Sequence, residues 1–229
     1  MKSIVVLISG RGSNLGALLR AGLTARFAAV ISNRSDAYGL QIARAAGVPT
    51  LVIDHNEYAH RDAFDAALAQ AIDELGPDLV CLAGFMRVLG ADLVRLSHGR
   101  MLNIHPSLLP SFPGLHTHRR ALEAGVKLHG CTVHFVSAEV DSGPIVIQAA
   151  VPVLPGDDED RLAARVLEQE HRIYPQAVRW FLEGRLRLHD GRAVLDRDPA
   201  TVGALLSPSV DAAWDEGPAD RSRNLVRDA

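Results

Sequence analysis

Five short apolar runs punctuate the first 105 residues, with stretches of helical period between them. This alternation narrows the folds open to the chain more than any other feature. "SIVVLI" (3–8), "FAAVIS" (27–32), "PTLVID" (49–54), "PDLVCLAG" (77–84) and "RMLNIH" (100–105) are rich in β-branched and aliphatic residues. They read as strands buried on both faces. "SNLGALLRAGL" (13–23), "AYGLQIARAAG" (37–47) and residues 57–75 carry apolar positions at helical spacing, the last with Tyr58, Phe64, Leu68, Ala71 and Leu75 on one side. Such alternation implies right-handed βαβ units and a mostly parallel twisted sheet with helices on both faces. The expected class is therefore α/β, Rossmann-like.

The pattern changes after residue 125. "LHGCTVHFVSAEV" and "PIVIQAAVPV" are long strands joined through "DSGP" with no helix between them, so an antiparallel hairpin is expected on the sheet. Residues 159–184 form a long helix with a kink expected near Pro175, followed by a short hairpin turning at Asp190-Gly191. One domain is expected over 1–205, then a polar tail over 206–229, peripheral to any chemistry.

With 48% hydrophobic residues and a net charge of −3, the 229-residue chain has the make-up of a soluble protein with no general attraction to nucleic acid or anionic membrane. No apolar run approaches the length of about 18 residues that a membrane span needs. The opening "MKSIVVLISGRGSN" leads into a glycine loop rather than a cleavage site, unlike a signal peptide. Cys81 and Cys131 lie in apolar runs without a CxxC and read as reduced thiols in a cytoplasmic protein.

"ISGRGSNL" (8–15) joins the first strand to the first helix, where exposed backbone N–H groups suit an anion. It is not a Walker loop. It also departs from GxGxxG, because Leu15 stands where the third glycine belongs and no acidic residue ends the second strand. A dinucleotide is disfavoured. Two readings stay open: a monophosphate held by Gly12, Ser13 and Asn14, or a tight turn with Ser13 capping the helix.

Asn103 and His105 are two residues apart on one strand, so both face one side. Pro106 holds His105 extended, at a carboxyl end where open α/β sheets place ligands. A core histidine satisfied by a backbone carbonyl is the alternative. Asp141 lies in a good turn sequence. Glu170 falls on the apolar stripe of the last long helix, between Val166 and Ile173, where a carboxylate needs a partner or a role. Arg61, between Tyr58 and Phe64, reads as a solvated arginine, and Arg87, at another carboxyl end, either binds a carboxylate or caps a loop. His116, His118, His129 and His134 raise the question of a metal, but no HExxH or Cys/His cluster is present and none is expected.

"VVLISGRGSNL", "LAGFMRVL", "NIHPSLLPSFPGLHTHRRALE", "HGCTVHFV", "DSGPIVIQAAVPV" and "QEHRIYP" occur in an order that closely resembles the phosphoribosylglycinamide formyltransferases, folate-dependent enzymes of purine synthesis. The resemblance spans about residues 1–195. It implies a phosphate-binding half over about 1–100 and a folate and catalytic half over about 101–195. It implies that Asn103, His105 and Asp141 are catalytic, with Asp141 favouring a protonated His105 that donates to an oxyanion. Gly12, Ser13 and Asn14 would bind the ribonucleotide phosphate and Glu170 the glycinamide. Arg61, Met86, Arg87, Val88, Leu89, Asn103, Ser137, Ala138, Glu139, Val140 and Asp141 would form the folate pocket. The co-substrate implied is 10-formyltetrahydrofolate, with no metal, and the partners are two small molecules met by a monomer or weak homodimer. Arg11 departs from the Asn of a relative and adds charge beside the phosphate loop. A hydrolase-like enzyme using the same folate is the alternative, against which the phosphate loop argues.

Overall fold

The structure, a computed structural model, describes residues 1–196 and Ser207. Among these residues, nine strands are β1 (Ser3–Ile8), β2 (Arg26–Ser32), β3 (Thr50–Val52), β4 (Leu79–Leu82), β5 (Met101–His105), β6 (Leu128–Phe135), β7 (Ile145–Pro152), β8 (Leu186–His189) and β9 (Arg192–Leu195). Six α-helices among them are α1 (Ser13–Arg20), α2 (Gly39–Ala45), α3 (Arg61–Leu75), α4 (Ala91–Leu96), α5 (Thr117–Glu123) and α6 (Glu159–Leu182). Seven strands form one sheet in the order β3-β2-β1-β4-β5-β6-β7, and β8 and β9 form a separate hairpin. Strands β1 to β5 run parallel, β6 is antiparallel to β5, and β7 to β6. The chain winds outward from β1 through β2 to β3, then crosses back to β4 and β5 on the other side. The reversal lies between β1 and β4, and the loops leaving their carboxyl ends part there to open a crevice.

The central strands are apolar throughout because each face has its own core. Ile4, Val6 and Ile8 pack with Leu15, Leu18, Leu40, Leu162, Val166 and Tyr174 under α1, α2 and α6. Val5 and Leu7 pack on the other face with Phe64, Leu68, Ile72 and Met101 under α3 and α4. The Tyr174 hydroxyl lies 3.0 Å from the Leu82 carbonyl and 3.1 Å from that of Leu102, tying α6 to β4 and β5.

Local differences from the expected elements have local causes. Strand β6 stops at Phe135, so residues 136–144 form a loop rather than the end of a long strand. Gly143 packs on the Phe135 carbonyl, where a Cβ would collide, and Asp141 takes a left-handed φ of 53°. Helix α6 runs through Pro175 without interruption. The short α4 and α5 carry too few turns to stand out as periodic segments. Helix α3 begins at Arg61, after a 3₁₀ turn at His55–Glu57. The tail expected from 206 lies, Ser207 apart, outside the described residues.

Candidate active site

The polar end of β5 meets β6 in antiparallel register, with Asn103 opposite His134 and His105 opposite Thr132. Nδ1 of His134 lies 2.9 Å from the Phe135 carbonyl and therefore carries the proton. Its Nε2 then accepts from the Asn103 amide nitrogen at 3.1 Å. Burial holds the His134 ring below the ordinary histidine value, against opposing pulls from the Phe135 carbonyl and Asp141, which suits this neutral form. One Asn103 N–H is thus engaged and its orientation set. The second N–H remains to donate.

Asp141 reaches this pair from the 136–144 loop. Its Oδ2 accepts from the Gly114 N–H at 2.8 Å and lies 3.3 Å from His105 Nδ1, while Oδ1 lies 3.8 Å from His134 Nε2. On its other side, His105 Nε2 is 3.0 Å from the Phe112 carbonyl. Both ring nitrogens of His105 thus lie near an oxygen, Asp141 Oδ2 beside Nδ1 and the Phe112 carbonyl beside Nε2. The expectation that His105 donates directly to an oxyanion meets a geometric obstacle, since its Nε2 hydrogen points at Phe112.

The rigid segment after β5 is pinned from β6 and β7. Thr132 Oγ1 donates to the Ser107 carbonyl at 2.7 Å and accepts the Leu109 N–H at 3.1 Å, and Gln148 Nε2 donates to the Leu109 carbonyl at 2.9 Å. Phe112 adopts a left-handed φ of 55°, rare for a bulky residue, in the turn that carries its carbonyl to His105.

A cavity of about 660 Å³ opens in front of this cluster. Met86, Arg87, Val88 and Leu89 line one side, and Ser137, Ala138, Glu139, Val140 and Asp141 line another, with Asn103, His105 and His134 among its walls. Val94, Val136 and the segment from Gly114 to His118 also line it. Its walls combine apolar side chains with the exposed backbone of a loop, a composition that suits a flat, polar-edged heterocycle. Arg61 is not on the wall. Its guanidinium pairs with Asp65 at 3.3 Å, beside Gly90. Arg11 is exposed and lines the cavity beside the glycine loop.

Gly12, not Ser13, caps α1, with a φ of 75° and no side-chain hydrogen bond to the first turn. The first N–H groups of α1 therefore have no side-chain cap and are open to an anion. Gly12 is also required by packing, because a Cβ there would lie 2.5 Å from the Gly39 Cα. The buried Asn14 side chain turns inward and donates to Glu170 Oε2 at 2.7 Å, and its Oδ1 is buried without a donor among the described residues. Burial pushes the Glu170 carboxyl above its ordinary value, partly offset by the Asn14 hydrogen bond.

His129 Nε2 and His118 Nδ1 lie 3.2 Å apart, and burial lowers both rings, His129 to about 4. No group of three or more histidine, cysteine or acidic side chains is arranged to hold a metal among the described residues. Cys81 and Cys131 are free and buried, their thiols pushed up to about 12 by that burial. No described helix is long and apolar enough to cross a membrane.

The sheet reverses at β1/β4, and the α1 terminus and the amide–histidine–carboxylate cluster beside the cavity stand at the carboxyl ends of its strands, where open α/β sheets place ligands. Residues 2–178 match the formyl transferase family, and the chain belongs to it. It is 52% identical over 198 residues to phosphoribosylglycinamide formyltransferase of Escherichia coli (strain K12), covering 85% of this chain and 93% of that one. It is 52% identical over 189 residues to the trifunctional purine biosynthetic protein adenosine-3 of Drosophila melanogaster, covering 80% of this chain and 14% of that far longer one. The crystal structure of glycinamide ribonucleotide transformylase 1 from Symbiobacterium toebii superposes with a TM-score of 0.83 at 56% identity, covering 86% of this chain and 94% of that chain.

Proposed function

We propose that the protein transfers the formyl group of 10-formyltetrahydrofolate to the free amine of 5-phosphoribosylglycinamide, yielding formylglycinamide ribonucleotide and tetrahydrofolate in purine biosynthesis. The observation that carries this reading is the cluster of Asn103, His105 and Asp141 standing at the cavity wall. The similarity to enzymes bearing that name supports it along nearly their whole length. The cavity takes the folate, with its heterocycle against residues 137–141 and its apolar body against Met86, Val88 and Leu89. The α1 terminus at Gly12, Ser13 and Asn14 takes the phosphate, and Glu170 takes the glycinamide arm.

The amine nitrogen attacks the formyl carbon, whose carbonyl oxygen becomes an anion. The free N–H of Asn103 is the directional donor to that oxygen. The His105 imidazolium contributes positive charge, held in place by Asp141 on one side and the Phe112 carbonyl on the other. The intermediate collapses when the bond to the bridging folate nitrogen breaks. One proton passes from the attacking amine to that nitrogen through water at the cavity mouth. No covalent enzyme intermediate is needed. The reading carries with it a cytoplasmic enzyme, monomer or weak homodimer, acting without a metal.

The test is a transfer assay with both substrates. Tetrahydrofolate and formylated ribonucleotide should appear in equal amounts, each dependent on the acceptor. Formate released at the same rate with or without the ribonucleotide would overturn the reading in favour of hydrolysis.

A further inference from the structure

The loop 84–90, which carries Met86, Arg87 and Val88 on the cavity wall, is anchored at both ends by buried side chains. At its start, the Met86 N–H donates to Ser9 Oγ at 2.7 Å, and that hydroxyl donates to Asn33 Oδ1 at 2.6 Å. At its end, the Gly90 N–H donates to Asp65 Oδ2 at 2.8 Å. Asp65 stands on α3 beside the core residue Phe64 and is only 7% exposed. The same Oδ2 accepts from Arg61 Nε at 3.3 Å. The other oxygen, Oδ1, is buried and meets no donor among the described residues.

This arrangement is an expensive way to build a helix face. A buried carboxylate with one oxygen unsatisfied destabilises the fold relative to an apolar residue at the same place. Its contacts instead reach outward to the cavity loop. The fit is also close on the loop side, where a Cβ on Gly90 would lie 2.6 Å from Asp65 Oδ2. Glycine and carboxylate therefore form a matched pair that sets how near the loop lies to α3. Arg61, expected to meet the folate, is held to this same carboxylate.

We propose that Asp65 is a positioning residue for folate recognition. Through Gly90 it fixes the end of the loop bearing Met86, Arg87 and Val88, and it holds the Arg61 guanidinium beside that loop. The proposal rests on the reading of the cavity as the folate site. Its removal is felt in folate affinity and neither in ribonucleotide affinity nor in turnover at saturation.

Three variants separate the roles. Asp65→Ala deletes both contacts; Asp65→Asn keeps a same-sized acceptor for the Gly90 N–H while losing the charge facing Arg61; Gly90→Ala presses on the pair from the loop side. Steady-state constants for each substrate are measured beside thermal stability. Asp65→Ala and Gly90→Ala should each raise the folate KM by about tenfold or more, with the ribonucleotide KM and kcat within about threefold of wild type. Asp65→Asn should recover much of that loss. Should Asp65→Ala fail to fold, Gly90→Ala and Asp65→Asn decide. An unchanged folate KM in Asp65→Ala or Gly90→Ala, or an equal rise in both KM values there, would overturn the positioning role. A wild-type protein that shows no saturation with 10-formyltetrahydrofolate would instead overturn the functional reading beneath it.

Discussion

Replacing Asp141 by Asn tests the charge pairing at the centre of the site with little disturbance of shape. Asn is among the few residues that tolerate a left-handed backbone, so the φ of 53° can be kept. Its carbonyl oxygen can still accept the Gly114 N–H that Asp141 Oδ2 accepts at 2.8 Å. What disappears is a negative charge 3.3 Å from His105 Nδ1. Two unit charges at that distance interact by about 5 kcal/mol at an effective dielectric constant of about 20. If solvent screening at the cavity mouth removes half of this, about 2.5 kcal/mol remains, on the order of a 100-fold loss in turnover. The loss should fall on kcat, because the imidazolium is most needed when the oxyanion forms. The assay is steady-state formyl transfer with each substrate varied at saturating partner, with circular dichroism confirming the fold. A folded variant with turnover within about threefold of wild type would refute the reasoning.

Other perturbations read other parts of the site. Glu170→Gln keeps an acceptor for Asn14 but removes a carboxylate whose folded-state value is raised by burial, so its ionised form opposes folding above its ordinary 4.5. The variant should melt no lower than wild type at pH 8 while its ribonucleotide KM rises by about tenfold; a lower melting point with unchanged KM would contradict this. His129 is held at about 4 and His134 is also lowered, so the unfolded chain binds more protons in acid. Stability should be full above the ordinary histidine value of 6.5 and fall as pH drops from there toward 4, with His129 alone contributing about 2 kcal/mol of loss at pH 5. Denaturant titrations at pH 8 and pH 5 measure it, and equal midpoints would count against the buried neutral rings. Gly12→Ala must move the chain away from Gly39 as well as adopt a φ of 75°, so it should lower stability by more than about 1 kcal/mol and weaken ribonucleotide binding. A Gly12→Ala protein melting like wild type would show that the loop yields freely.

Period decides which residues share a face, and period can be read from the chain alone. The alternation in β5 puts Asn103 and His105 on one side. The helical spacing of α6 puts Glu170 on the apolar stripe, where the structure buries it against Asn14. The strand–helix alternation likewise carries the mostly parallel sheet, while the strand order and its switch point come only with the structure. Partners are another matter, because they depend on pairings remote in sequence. His134 meets Asn103 only through the β5–β6 register, 31 residues away, on a strand whose pairing with β7 slips between Val133 and His134. The occurrence of Thr132 and His134 at strand spacing hinted at a shared face but could not name what lay opposite. Asp65 left a fainter trace: it stands next to Phe64 on α3, and its partner Gly90 lies 25 residues further along.

The choice between Ser13 and Gly12 as helix cap shows the same limit at short range. Ser13 has the better side chain for capping, yet the close approach of Gly12 to Gly39 draws the helix start one residue back. With no side-chain oxygen spent on the first turn, the N–H groups of α1 stay open for an anion. A tertiary contact thus sets aside the Ser13 cap, and the phosphate at Gly12, Ser13 and Asn14 stays a proposal. The carboxylates divide in the same way. Asp141 is a turn residue by sequence, and in the structure the loop folds its oxygens toward His105 and His134. Asp65 is a helix residue by sequence and faces a loop that only the sheet order brings beside it. The reversal between β1 and β4 sets the glycine loop, the 84–90 loop and the end of β5 around one crevice, the place where open α/β sheets take ligands.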